Sequence, residues 1–155
     1  MQPTVTFLTT RVKEPTKQDW YKLVQLIRYL KTTSEEIRSI SIDDLSIIKF
    51  SIDASYGVHP DMRSHSGMTM KMGQGVINSG STKQKINTRF STTAELVAVD
   101  DYASIMLWTR HFLLAQGYDV RTILEQDNQS TIKLHKNGRW SSSKCTHHMN
   151  IKYFF

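Results

Sequence analysis

The sequence predicts an α/β fold. Three observations carry that prediction. Residues 45–79 read as three consecutive strands separated by polar and glycine-bearing loops. Residues 93–116 carry an apolar stripe at helical spacing. A short apolar run at 120–126 then leads into a second, shorter helical stretch.

Taken in order, residues 1–15 lack clear periodicity, carry two prolines and read as a lead-in. Thr16 is a good N-cap, with Asp19 three residues on as a short version of the capping box. Trp20, Leu23, Val24, Ile27 and Leu30 follow helical spacing, so a helix is expected over 17–32 with this stripe packed. Residues 33–44 are a polar connector. Its Ile42-Asp43-Asp44-Leu45 imitates the paired aspartates of a polymerase site but lacks a preceding Tyr and reads as a solvated turn. Strand one is expected at 45–54, a loop at 56–66, strand two at 67–72 and strand three at 76–79. Met68, Met70 and Met72 share one face, which suits a core.

The long helix, 93–116, presents Leu96, Val99, Ala103, Met106, Leu107, Leu113 and Leu114 on one side. Ser91 or Thr92 can cap it and Gly117 ends it. Strand four follows at 120–126. A short helix is expected at 128–136, anchored by Ile132 and Leu134 and broken at Asn137-Gly138. Residues 141–143 form a serine loop, and 148–155 begin another helix.

Bulk properties narrow the function classes. A chain of 155 residues is one domain, or one domain with an appendage. Its formal charge of +6 and pI near 9.5 favour polyanionic partners. Cys145 is the only cysteine, so no intramolecular disulfide forms, which suits a reducing compartment. It has no cysteine partner for a zinc site, and the adjacent His147 and His148 lack the spacing of a zinc pair. No run of 18 apolar residues is present, and the first residues lack the basic start and long apolar core of a secretory signal. The expected setting is intracellular, cytoplasmic or nuclear, with no membrane partner.

Three acids stand at element ends. Asp53 closes the apolar run Ile47-Ile48-Lys49-Phe50-Ser51-Ile52, and Asp127 closes the run from Ile123. Glu95 opens the long helix within Ser91-Thr92-Thr93-Ala94-Glu95. Acids at the ends of neighbouring strands and on a helix crossing them can converge. Converged carboxylates repel unless a divalent cation neutralises them. That is the arrangement of two-metal phosphodiester hydrolysis. Each acid also has a plainer reading. Glu95 fits a first helical turn favoured by the helix dipole, and Asp127 fits a helix cap.

The chain resembles the ribonuclease H region of copia-type retrotransposon polyproteins. The matching segments are Ser51-Ile52-Asp53-Ala54, Ser64-His65-Ser66-Gly67, Ser91-Thr92-Thr93-Ala94-Glu95, Asp127-Asn128-Gln129-Ser130 and His148-Met149-Asn150-Ile151-Lys152-Tyr153. The resemblance runs from about Pro15 to the last residue; its specificity lies in the order of the five segments. Pro15, Thr16, Trp20 and Arg28-Tyr29-Leu30-Lys31 resemble the stretch that links the polymerase to the ribonuclease H domain.

The resemblance implies a ribonuclease H-like mixed sheet with flanking helices and an N-terminal helical appendage. It divides the chain into a connection segment, 1–44, with one helix, and a ribonuclease H-like domain, 45–155. It implies Mg²⁺, with Mn²⁺ as substitute, held as two ions roughly 4 Å apart in the complete domain. Asp53 would bridge both ions, with Glu95 and Asp127 on the leaving-group side. The implied reaction is hydrolysis of the RNA strand of RNA/DNA hybrids during reverse transcription, within the rest of a reverse transcriptase polyprotein. The family's last strand, last helix and fourth acid would lie beyond Phe155, so the sequence reads as incomplete at its C-terminus. The alternative is a catalytically inactive nucleic-acid-binding fragment or a retrotransposon remnant.

Further residues are candidates for substrate contact. Ser66 and Gly67, with Arg63 before them, match a family stretch that could meet phosphates, or form a polar turn. Asn128 and Gln129 could read the RNA 2′-hydroxyl, or cap a helix. Lys71, Lys83, Lys85 and Arg89 are candidate phosphate contacts, or a solvated basic face. His148 matches a family histidine without an assigned role. Ser130 reads as a cap, since no Gly-x-Ser-x-Gly elbow is present.

Overall fold

The computed structural model describes residues 1–37 and 39–137. The side chain of Leu134, the break at Gly138, the serine loop, Cys145, His147, His148, Asn150 and the helix expected at 148–155 lie outside the described residues.

Eight elements follow the chain: α1 (Gln2–Thr9), α2 (Lys17–Thr32), β1 (Ile47–Ser55), β2 (His65–Lys71), β3 (Val76–Lys83), α3 (Ser91–Ala115), β4 (Arg121–Glu125) and α4 (Gln129–Asn137). The four strands form one sheet in the order β3-β2-β1-β4. β1 pairs antiparallel with β2, β2 pairs antiparallel with β3, and β4 runs parallel to β1. The long α3 supplies the crossover that a parallel pair requires. This is a mixed α/β architecture with flanking helices, compatible with a ribonuclease H-like fold.

The core lies between the sheet and α3. Strand alternation sends Ile48, Phe50 and Ile52 of β1 to that side, with Met68 and Met70 of β2 beside them. Ala98, Val99 and Tyr102 of α3 meet them, as does Val120. The three methionines are buried as their alternation implies. Gly80 is required where it stands: a Cβ there would run into the Tyr102 ring, whose Oη donates to the Ser66 carbonyl at 3.3 Å.

Several expectations need correction. The supposed lead-in contains α1. Its Thr-rich sequence is a poor isolated helix former, but the helix is docked against β3. Gln2 Nε2 donates to the Ser79 carbonyl at 2.8 Å and Thr6 Oγ1 to the Ser81 carbonyl at 3.1 Å. Pro3 sits in the first turn, where its missing N–H costs nothing. The α2 capping box is present, with Thr16 Oγ1 accepting from the Asp19 amide. Its stripe, however, is not packed away: Trp20, Ile27 and Leu30 remain exposed, because α2 packs mainly on the short α1. On α3, Leu107 is exposed, whereas Tyr102 and Thr109 are buried. The N-cap of α3 is Phe90, not Ser91 or Thr92; its carbonyl accepts from the amides of Thr93 and Ala94. Gly117 ends the helix with φ +89°, in the left-handed region. The Asp43-Asp44 pair is a turn, in which Asp44 Oδ1 accepts from the Ser46 amide at 2.7 Å.

Candidate metal centre

Parallel pairing of β1 and β4 puts their carboxyl ends at the same edge of the sheet. Ser51 lies level with Glu125 in the register, and two residues further along each chain come Asp53 and Asp127. α3 begins over that edge. Its first turns are buried from Thr93 to Val99, and Glu95 is only 6% exposed. One carboxylate oxygen from each of Asp53, Glu95 and Asp127 lies within 4.8 Å of the others. The three acids named from the sequence therefore meet, each delivered by a different element.

Their environments differ. Asp53 and Asp127 are exposed, and Asp53 Oδ1 accepts from the Ala54 amide at 2.8 Å. Burial pushes the Glu95 carboxyl up to about 7. A hydrogen bond from Gln126 opposes that rise, the charge of Asp53 adds to it, the Ala54 amide opposes it, and Asp127 adds a smaller repulsion. Three carboxylates that cannot all ionise cheaply form a site with a deficit of positive charge. The donors are all hard oxygens, the set that suits Mg²⁺ or Mn²⁺ rather than a thiophilic ion. The residues present fit a divalent cation.

Asp53 and Asp127 also line a groove of about 830 Å³ on the sheet face away from α3. Gly67, opposite Asp53 in the β1–β2 pair, lines it too. Ser66 does not. One step along the strand reverses the face, and Ser66 is fully buried. Its Oγ donates to Asp101 at 2.7 Å and accepts from Gln84 at 3.0 Å.

The remaining candidates divide. Asn128 uses its Oδ1 as the cap of α4, accepting from the Ser130 and Thr131 amides at 3.0 and 3.1 Å. Gln129 is exposed at the start of α4. Arg63 and Lys83 both bond Asp61, at 3.4 and 2.8 Å. Lys85 and Arg89 are exposed, and Lys71 stands opposite Lys49 in the sheet.

One residue next to the acids was not singled out from the sequence. Gln126 Nε2 donates to Glu95 Oε2 at 3.1 Å, and its Oε1 accepts from the Asn128 amide at 3.1 Å. The alternation after Leu124 was the available signal. Glu125 turns to the groove and bonds Ser51, so Gln126 turns back toward α3.

No protein-family model matches the chain. No solved structure matches it. It is 28% identical, over 144 residues, to a retrovirus-related Pol polyprotein from transposon TNT 1-94 of Nicotiana tabacum. The match covers 92% of this chain and 11% of that polyprotein, so what the chain is similar to is one segment of a retrotransposon Pol polyprotein.

Proposed function

We propose that this chain is a ribonuclease H-type endonuclease segment of a retrotransposon Pol polyprotein, cleaving the RNA strand of RNA/DNA hybrids with Mg²⁺, or Mn²⁺ in its place. The observation that carries the reading is the convergence of Asp53, Glu95 and Asp127 at one edge of a mixed sheet. Similarity to a Pol polyprotein supports the setting. Residues 45–155 would be the hydrolytic unit and 1–44 the connection to the preceding enzyme.

When bound, divalent cations supply Lewis-acid charge and a nucleophile at neutral pH. The chain's own part is to hold them and to orient the strand. Asp53, exposed and lining the groove, would help hold both ions. Glu95 and Asp127 would hold the ion on the leaving-group side. Gly67 leaves the groove beside Asp53 without a side chain, so a sugar-phosphate backbone can approach. Asn128 would offer its Nδ2, since its Oδ1 is committed to the cap. Gln129 would offer its whole amide to the 2′-hydroxyl that separates RNA from DNA. Lys85 and Arg89, exposed cations, would meet phosphates without reading sequence.

The test is cleavage of a labelled RNA/DNA hybrid with Mg²⁺ or Mn²⁺, with Asp53→Asn beside the wild type. Cleavage of the RNA strand that disappears in the variant is expected. Hybrid binding with no cleavage by the wild type under either ion would overturn the enzymatic reading and favour a binding fragment.

A further inference from the structure

We infer that Gln126 is a positioning residue that sets the separation of Glu95 and Asp127 for cation binding; this rests on the metal-centre reading above. One amide bonds at both ends. Nε2 donates to Glu95 Oε2 on α3, and Oε1 accepts from the Asn128 amide, just beyond Asp127. The second bond fixes which end of the amide is which: an oxygen must face the Asn128 N–H, so the NH₂ group must face Glu95. That same bond closes a tight turn with Asp127 at its apex.

The bonds continue round the site. Asn128 Oδ1 accepts from the Thr131 amide, and Thr131 Oγ1, fully buried, reaches the Thr92 carbonyl at 3.5 Å. The path runs from Glu95 on α3 through Gln126, Asn128 and Thr131 back to Thr92 on α3. It passes on either side of Asp127 in the chain, and the Asp127 carboxylate stays exposed.

The chemistry of the residue matters as much as its reach. A neutral donor orients the Glu95 side chain without placing a competing cation in the site. A Lys at 126 would occupy the cation's place, and a Glu would add a repelling charge. Groups that orient a ligand carboxylate commonly change metal affinity when removed, although they never touch the metal.

The experiment is a Mn²⁺ titration of the full chain, followed by water-proton relaxation, for wild type, Asp53→Asn, Gln126→Met and Gln126→Asn. Thermal unfolding without metal is recorded for each. Gln126→Met keeps the bulk and removes both bonds. Gln126→Asn keeps the amide but is too short to span both partners, and it serves if the Met variant does not fold. The expected result is a Kd raised about 10-fold or more in the folded Gln126 variants, with Asp53→Asn weaker still. A merely structural role would lower the melting temperature and leave the Mn²⁺ Kd at the wild-type value. That outcome overturns the inference while leaving the metal centre standing. Equal, weak binding by wild type and Asp53→Asn would instead remove the metal centre itself, and the inference with it.

Discussion

His59 Nε2 lies 3.0 Å from His65 Nδ1, so two imidazoles share one hydrogen bond. The bond continues from His65 Nε2 to Ser81 Oγ at 2.7 Å. Phe7 of α1 stacks on His59 with ring centroids 6.1 Å apart. One ring must donate and the other must present a bare nitrogen, so the pair cannot be doubly protonated without breaking. His59 Nδ1 is buried with no partner among the described residues, which makes a second N–H there costly. The pair therefore joins β2, the 56–64 loop and α1 while it is neutral.

Acid should loosen this joint. Burial holds both rings below the usual 6.5; for His59, Lys83 and then His65 lower it further, and Asp61 works the other way. In the unfolded chain both take protons near 6.5, so stability is full above that value and is lost as pH falls through the lower folded values. Urea unfolding from pH 7.5 down to 5.5 should show a smaller acid loss in His59→Phe than in wild type, with Phe preserving the stack on Phe7. An equal slope in both proteins would exclude the pair as the cause.

Glu95 acts in the opposite direction over a neighbouring window. Its carboxyl is raised from 4.5 to about 7, chiefly by burial. Its contribution is complete below the unfolded value and is lost as pH rises through 7. Without metal, Glu95→Gln should be more stable than wild type at pH 8 and little different at pH 5. Each kcal/mol gained appears as roughly 2–4 °C in melting temperature for a chain of this size. Mg²⁺ at pH 8 should narrow the difference by stabilising the wild type alone. A Glu95→Gln protein that melts lower at pH 8 would contradict the assigned burial cost.

Gly80 and Tyr102 test the packing that aligns α3 over the sheet. A Cβ at Gly80 meets the Tyr102 ring, so Gly80→Ala should cost about 1–3 kcal/mol by overpacking. Tyr102→Phe should cost less, about 0.5–1.5 kcal/mol, since it loses only long bonds to the Ser66 carbonyl and Thr82 Oγ1. In a Tyr102→Leu background the penalty of Gly80→Ala should shrink, a coupling that a double-mutant cycle in urea measures. Additive costs would mean that β3 moves aside instead.

Legibility followed the reach of each signal along the chain. β1, α3 and the three acids were readable because alternation and helical spacing are local, and each acid closed or opened such a pattern. α1 was not, because its helix depends on bonds from Gln2 and Thr6 to residues more than 70 positions away. Ser66 fits neither the phosphate contact nor the polar turn offered for it, because its face is fixed by register: Gly67 pairs with Asp53 and lines the groove, so Ser66 points to the core. Alternation after Leu124 puts Gln126 on the face opposite Glu125, but which of the two faces meets α3 follows from the parallel register with β1. The stripe on α2 was read correctly as apolar, but spacing says nothing about whether a partner covers it.

Asp53 and Asp43 give the sharpest separation between site and imitation. Asp43-Asp44 imitates the paired aspartates of a polymerase site, whereas Asp53 closes an apolar strand run. Only Asp53 stands within 4.8 Å of two other carboxylates; the neighbouring Asp44 is tied to Ser46, and Asp43 meets Ser41 at 3.4 Å. Removing Asp53 takes away a group that holds transition-state charge, so Asp53→Asn should reduce hybrid cleavage by more than about 100-fold. It should also abolish the rise in melting temperature on adding Mg²⁺, because a ligand that binds only the folded state stabilises in proportion to its affinity. Asp43→Asn should keep both the cleavage and the Mg²⁺-dependent rise. Loss of both in Asp43→Asn, with Asp53→Asn unaffected, would move the metal centre to the connector and away from the sheet edge.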